Sequence, residues 1–177
     1  MLAIFLWQGR FFGVDNVIAN CSGNLFSIFY LGFLSSFILG IRIDFGLWAF
    51  LMFIFTVKFS DIGAYTAGRL FGKHKFSPVI SPKKTWEGLV GAIIFASLTA
   101  VVFSLKFNIM NLLKAVIFGA VFAVLGQLGD LAESMIKRNA MQKDSGSKIP
   151  GFGGLLDVLD SPIATAAPAY LFLKLFA

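Results

Sequence analysis

The chain has 177 residues, 58% of them hydrophobic and 16% aromatic, and only 14% are charged, against roughly 25% in a soluble domain. With a mean hydropathy of +0.84 and a single cysteine, Cys21, these figures exclude a disulfide scaffold, a disordered tail and an ordinary cytosolic enzyme, and leave a polytopic membrane protein. The net charge of +6, from 15 Lys+Arg against 9 Asp+Glu, is read first as a topology signal rather than nucleic-acid binding, and second as affinity for anionic headgroups or a phosphate-bearing substrate.

Met1–Trp7 is apolar but too short to span a bilayer, and it lacks the basic start and small-residue cleavage site of a signal peptide. It is read as the end of a helix whose beginning is absent, or as an interfacial segment. A spanning helix needs about 20 mainly apolar residues. Spans are expected at Leu25–Ile41, Phe45–Phe59, Leu89–Leu105 and Leu112–Leu128, with a shorter one at Ile163–Phe176 after Pro162. The expected fold is therefore an all-α polytopic transmembrane bundle of about five spanning helices, forming one membrane-embedded domain over residues 1–177. No internal repeat or low-complexity tract is visible.

Charges sort across these spans. Arg69, Lys73, Lys75, Lys83 and Lys84 lie between the second and third spans, and Lys137, Arg138, Lys143 and Lys148 lie between the fourth and fifth. Both segments fall on one side of the bilayer, and basic loops stay on the cytoplasmic side.

Chemistry-bearing residues cluster in four blocks. In the first, Asp61–Lys73, Asp61 stands at the end of an apolar span and is a functional candidate by default, or a simple partner for a nearby lysine. Ala64 and Gly68, four apart, permit close helix packing. His74 reads as a solvated loop residue, and Cys21 and the many Phe as packing or lipid-facing residues.

In the second block, Ser81 reads as an N-cap with Pro82 at the first helical position. Lys83 and Lys84 then fall in the first turn, where the helix dipole disfavours cations. A phosphate at the free N–H groups would resolve that conflict, and snorkelling at the lipid interface is the plainer alternative.

The third block is Asp130, Glu133, Ser134, Lys137 and Arg138. At about 100° per residue, Asp130, Ser134 and Lys137 share one helix face, flanked by Glu133 and Arg138. An acid one turn from a hydroxyl and two from a cation suits a metal ion facing an anionic ligand. A helix end returning to water, with an ordinary Glu133–Lys137 pair, is the other reading.

The fourth block runs from Lys143 and Asp144 through Gly146, Lys148, Gly151, Gly153 and Gly154 to Asp157 and Asp160. Its glycines allow a backbone to approach a ligand closely. Lys143 and Lys148 supply charge for phosphates, and the Asp157–Asp160 pair is of the hard-oxygen type that Mg²⁺ takes. A flexible Gly/Ser loop is the alternative.

Together these blocks resemble the phosphatidate cytidylyltransferase (CDP-diacylglycerol synthase) family, over about Asp61 to Ser161. The family signature reads Ser, any, apolar, Lys, Arg, four of any kind, Lys, Asp, matched by Ser134, Lys137, Arg138, Lys143 and Asp144. It continues through Gly146, Ile149 and Pro150 to Gly153, Gly154, Asp157 and Asp160, with Phe152 where the family has His and Val158 where it has Arg.

The resemblance implies transfer of a cytidylyl group from CTP to phosphatidate at the inner face of a bacterial membrane. It implies Mg²⁺ on Asp130 and Asp157, with Asp160 as a further ligand, and a second cation alongside suits in-line displacement. Lys83, Lys84, Lys137, Arg138, Lys143, Lys148, Gly153 and Gly154 would hold the phosphates, Asp144 would join the substrate site as a second-choice Mg²⁺ ligand, and Ser134 would position rather than attack. A homodimer is compatible with the family, and the shortness of the chain suggests that N-terminal helices are missing. Rival readings are a related CTP-dependent lipid enzyme, an ion path marked by Asp61, Asp130 and Asp157, and an inactive homologue.

Overall fold

The computed structural model describes residues 2–11, 13–14, 16–78, 80–139 and 155–177. It is a bundle of helices with one short hairpin: α1 (Leu2–Phe11), α2 (Val17–Ser27), a π-helical segment (Ile28–Leu34), α3 (Ser35–Asp44), α4 (Gly46–Phe71), β1 (Lys75–Ser77), β2 (Ser81–Thr85), α5 (Trp86–Phe107), α6 (Leu112–Asn139) and α7 (Leu155–Phe176). The α2, π and α3 segments form one continuous helix. Among the described residues, four helices are long and apolar enough to cross a membrane: Val17–Asp44, Gly46–Phe71, Trp86–Phe107 and Leu112–Arg138. The 22-residue α7, expected as a fifth span, packs into the bundle between α6 and α3.

Several boundaries differ from the expected ones: the first spanning helix begins at Val17 rather than Leu25, α6 runs past Leu128 to Asn139, and α7 begins at Leu155 rather than Ile163. Two further differences have a local reason. The second span was expected to stop near Phe59, where Lys58 and Asp61 interrupt the apolar run. Instead α4 continues unbroken to Phe71, because its polar half is held against α5. A Cβ on Gly63 would lie 2.5 Å from the Gly91 carbonyl oxygen, and one on Gly88 would lie 3.4 Å from the Gly68 Cα. Close approach through small residues takes the place of apolar side chains there.

The second difference is at Ser81–Thr85, which forms strand β2 rather than the start of a helix. It pairs antiparallel with β1, Lys75 opposite Thr85 and Ser77 opposite Ser81. In a two-stranded sheet Pro82 sits on an edge, where its missing N–H is tolerated. The helix begins at Trp86, with Thr85 as the N-cap whose hydroxyl accepts from the Gly88 N–H at 3.1 Å. Lys83 and Lys84 are therefore on a strand, and the dipole conflict that argued for a bound anion at the helix start disappears.

The core is aromatic. Phe53, Phe118 and Phe122 are fully buried between α4 and α6, with the Phe118 and Phe122 rings 4.4 Å apart and Phe172 of α7 edge-on to Phe118 at 5.3 Å. Ala166, Ala169 and Leu173 seat α7 against this cluster. Gly91→Val drives a side chain into Ala67 and the Gly63 carbonyl. It is expected to cost about 1–3 kcal/mol of stability, seen as a lowered Tm in detergent, whereas Val90→Ala on the exposed side of α5 leaves Tm nearly unchanged.

Candidate active site

At the end of the bundle that carries the hairpin, α4, α6, α7 and β2 bring polar groups together. On α6, Asp130 and Glu133 are three apart and so share a face. Gly129 lets α7 come alongside, since a Cβ there would be 2.7 Å from the Ala164 Cβ. That approach delivers Asp160. Among the described residues, one carboxylate oxygen from each of Asp130, Glu133 and Asp160 lies within 4.8 Å of the others. Glu133 is 4% exposed and Asp160 3%.

Two lysines answer these three acids. Lys84 reaches from β2, its ammonium 2.6 Å from Asp130 Oδ2, and it donates to the Gln127 carbonyl oxygen at 2.8 Å. Lys137 is 3.0 Å from Glu133 Oε2. The Ser161 hydroxyl donates to Asp160 Oδ1 at 3.5 Å. Beside the trio, Gln127 Nε2 donates to Asp61 Oδ1 at 3.3 Å, and Lys58 pairs with Asp61 at 3.7 Å. The described ion pairs thus set two lysines against the three clustered carboxylates. Carboxylates buried to this extent are costly unless paired or metal-bound, and hard oxygen donors at this spacing fit a divalent cation.

The cluster opens on a cleft of about 350 Å³ whose walls include Asp61, Tyr65, Lys83, Lys84, Asp130 and Asp160. Lys83 is exposed at its rim. Two lysines thus line the same cleft as the carboxylates of Asp61, Asp130 and Asp160, a set that suits a metal-bound polyphosphate.

The predicted site residues divide into three groups. Asp130, Asp160, Lys83 and Lys84 are brought to the cleft, although the Lys84 charge is spent on Asp130 rather than left facing outward. Ser134 is half-buried and Arg138 exposed further along α6, and neither lines the described cleft; Lys137 is turned to Glu133. Lys143, Asp144, Lys148, Gly153 and Gly154 lie outside the described residues, as does the Asp157 side chain, although its backbone opens α7.

Gln127 was not anticipated at the site, and Glu133 was not anticipated as a metal ligand. The sequence placed Glu133 beside the Asp130 face, or as an ordinary partner of Lys137. That pair exists, and the signal for more was its spacing of three from Asp130. Nothing in the sequence marked Gln127, whose carbonyl and amide join Lys84 to Asp61.

A model of the cytidylyltransferase family matches residues 1–176. Among curated proteins, the chain is 40% identical over 129 residues to the phosphatidate cytidylyltransferase of Mycobacterium bovis, covering 72% of this chain and 42% of that protein. It is 42% identical over 139 residues to that of Staphylococcus haemolyticus, covering 77% and 53%. It is 38% identical over 136 residues to that of Haemophilus influenzae, covering 74% and 47%. The chain spans about half the length of the curated relatives it matches.

Proposed function

Since the chain belongs to the cytidylyltransferase family, we propose that it transfers the cytidylyl group of CTP to phosphatidate, giving CDP-diacylglycerol and pyrophosphate. One observation carries the reading: Asp130, Glu133 and Asp160 converge from two helices beside a cleft walled by Lys83 and Lys84. The names of the matched relatives support the choice of substrates. Their bacterial source, and the gathering of Arg69, Lys73, Lys75 and Lys83 at the same end as the cleft, support a cytoplasm-facing site in a bacterial inner membrane.

Two anions must meet in this reaction. A phosphatidate oxygen forms a bond to the α-phosphorus of CTP as the bond to the β-phosphate oxygen breaks, and pyrophosphate leaves with that electron pair. No general base is needed, because a phosphate monoester is already ionised near neutral pH. The protein therefore positions its substrates and stabilises charge. Asp130, Glu133 and Asp160 would hold Mg²⁺, which when bound offsets charge on the triphosphate. Lys84 orients Asp130 from the strand, and Lys83 at the rim meets the phosphates. Arg138, Lys143 and Lys148 are the further cations proposed for them, and Asp157 is a further metal ligand.

The test is an assay in detergent with labelled CTP, phosphatidate and Mg²⁺. CDP-diacylglycerol is expected to form and to vanish on addition of EDTA, returning with excess Mg²⁺. Binding of both substrates without product would overturn the reading.

A further inference from the structure

The helix Val17–Asp44 is irregular at one place, Ile28–Leu34, where it winds as a π-helix for seven residues. Such turns are rare, usually a single bulge, and frequent at functional sites. Aromatic rings stack along and beside this segment, Phe26 on Tyr30 at 5.7 Å and Phe29 on Phe33 at 5.1 Å. The segment packs on α7, and there the Tyr30 hydroxyl donates to the backbone carbonyl of Asp160 at 3.3 Å.

That carbonyl sits at a weak point of α7. Pro162 lies inside the helix, so the Val158 carbonyl has no i+4 N–H to bond, and the proline ring crowds it. A helix interrupted at that turn sets its backbone less rigidly from within. The same residue carries the buried carboxylate that joins Asp130 and Glu133. A hydroxyl bond arriving from a different helix is thus placed where the direction of Asp160 is otherwise under-determined.

We infer that Tyr30, presented by the π-helical segment, is a positioning residue that fixes the Asp160 carboxylate in the cation site through the Asp160 carbonyl. The inference rests on the proposed role of Asp130, Glu133 and Asp160 as cation ligands.

Direct Mn²⁺ binding to the full-length purified chain, measured by electron paramagnetic resonance, tests it without an assay of turnover. Tyr30→Phe keeps the ring and its stack on Phe26. A neutral hydrogen bond of ordinary net worth translates into about a 2- to 10-fold weaker Mn²⁺ affinity, with an altered Mn²⁺ line shape and an unchanged Tm. Tyr170→Phe serves as the control. It removes a hydroxyl from the same side of the problem, the contact of α7 with Asp44 at 2.6 Å, about three turns from Asp160, and is expected to leave Mn²⁺ affinity unchanged.

Equal weakening in both variants would overturn the inference, because general loosening of α7 would then explain it. No change in Tyr30→Phe would overturn it as well. Asp160→Asn separates this from the parent assignment: lost Mn²⁺ binding there with no effect of Tyr30→Phe sinks the tyrosine alone. Binding that survives Asp160→Asn sinks the cation site itself.

Discussion

Asp160→Asn is expected to lower the rate of cytidylyl transfer by about 10²- to 10³-fold, the range found for removing one preorganised charge-stabilising group. The side chain keeps its size and its contact with Ser161, and loses one negative charge from a cluster in which two lysines face three carboxylates. Removing that charge relieves repulsion in a nearly buried place, so Tm in detergent should stay level or rise. Activity and stability move in opposite directions. A fall in both together would mean that Asp160 supports the fold rather than the chemistry. Rates and melting curves on the same preparation check this.

The second large effect is expected at Lys84. This residue does two things at once: it bonds Asp130 and the Gln127 carbonyl, and it ties the hairpin to α6. Its side chain is 14% exposed, so the interaction with Asp130 is only partly screened by water. Lys84→Met keeps an unbranched side chain one atom shorter and removes the charge. Loss of a hydrogen bond to a charged group costs about 1.5–3 kcal/mol, and kcat/KM should fall by about 10- to 150-fold.

Lys83→Met, at the exposed rim, removes one positive charge from the cleft lining that has no described ion pair. It should raise KM for CTP with less effect on kcat, because its contact is made equally in the ground and transition states. Lys84→Met should instead lower kcat, because it misplaces a ligand carboxylate. Equal effects of the two variants on KM alone would mean that both lysines merely attract the nucleotide.

Much of the bundle was readable in advance because lipid imposes a length and an apolarity on every span. Leu89–Leu105 and Leu112–Leu128 fall inside α5 and α6. What could not be read was decided by neighbours distant in sequence. The helix α4 outruns its apolar stretch because Gly63 meets Gly91. Hydropathy along α4 has no access to that contact. Ser81-Pro82 has the local form of a helix start, yet pairing with Lys75–Ser77 outbids it and passes the cap to Thr85.

The site shows the same division. Asp130 and Asp160 were legible as carboxylates next to apolar spans, a costly place for a charge. Glu133 was legible as a neighbour of the Asp130 face and as half of an i,i+4 pair, but not as a ligand, since that role depends on α7 lying alongside α6 at Gly129 and Ala164. Lys84 was read as a phosphate ligand because nothing along the chain signals that β2 turns it onto Asp130. Tyr30 lies 130 residues from Asp160, on a helix whose π turn has no signature in Ile28–Leu34.

The most direct test of the whole account is the position of Mn²⁺ in crystals grown with a non-hydrolysable CTP analogue, located by anomalous scattering. A peak is expected bound by carboxylate oxygens of Asp130 and Asp160, at ligand distances near the ~2.0–2.1 Å typical of Mg²⁺ sites, with the triphosphate reaching toward Lys83. A peak held elsewhere, with Asp130, Glu133 and Asp160 all away from the metal, would contradict it.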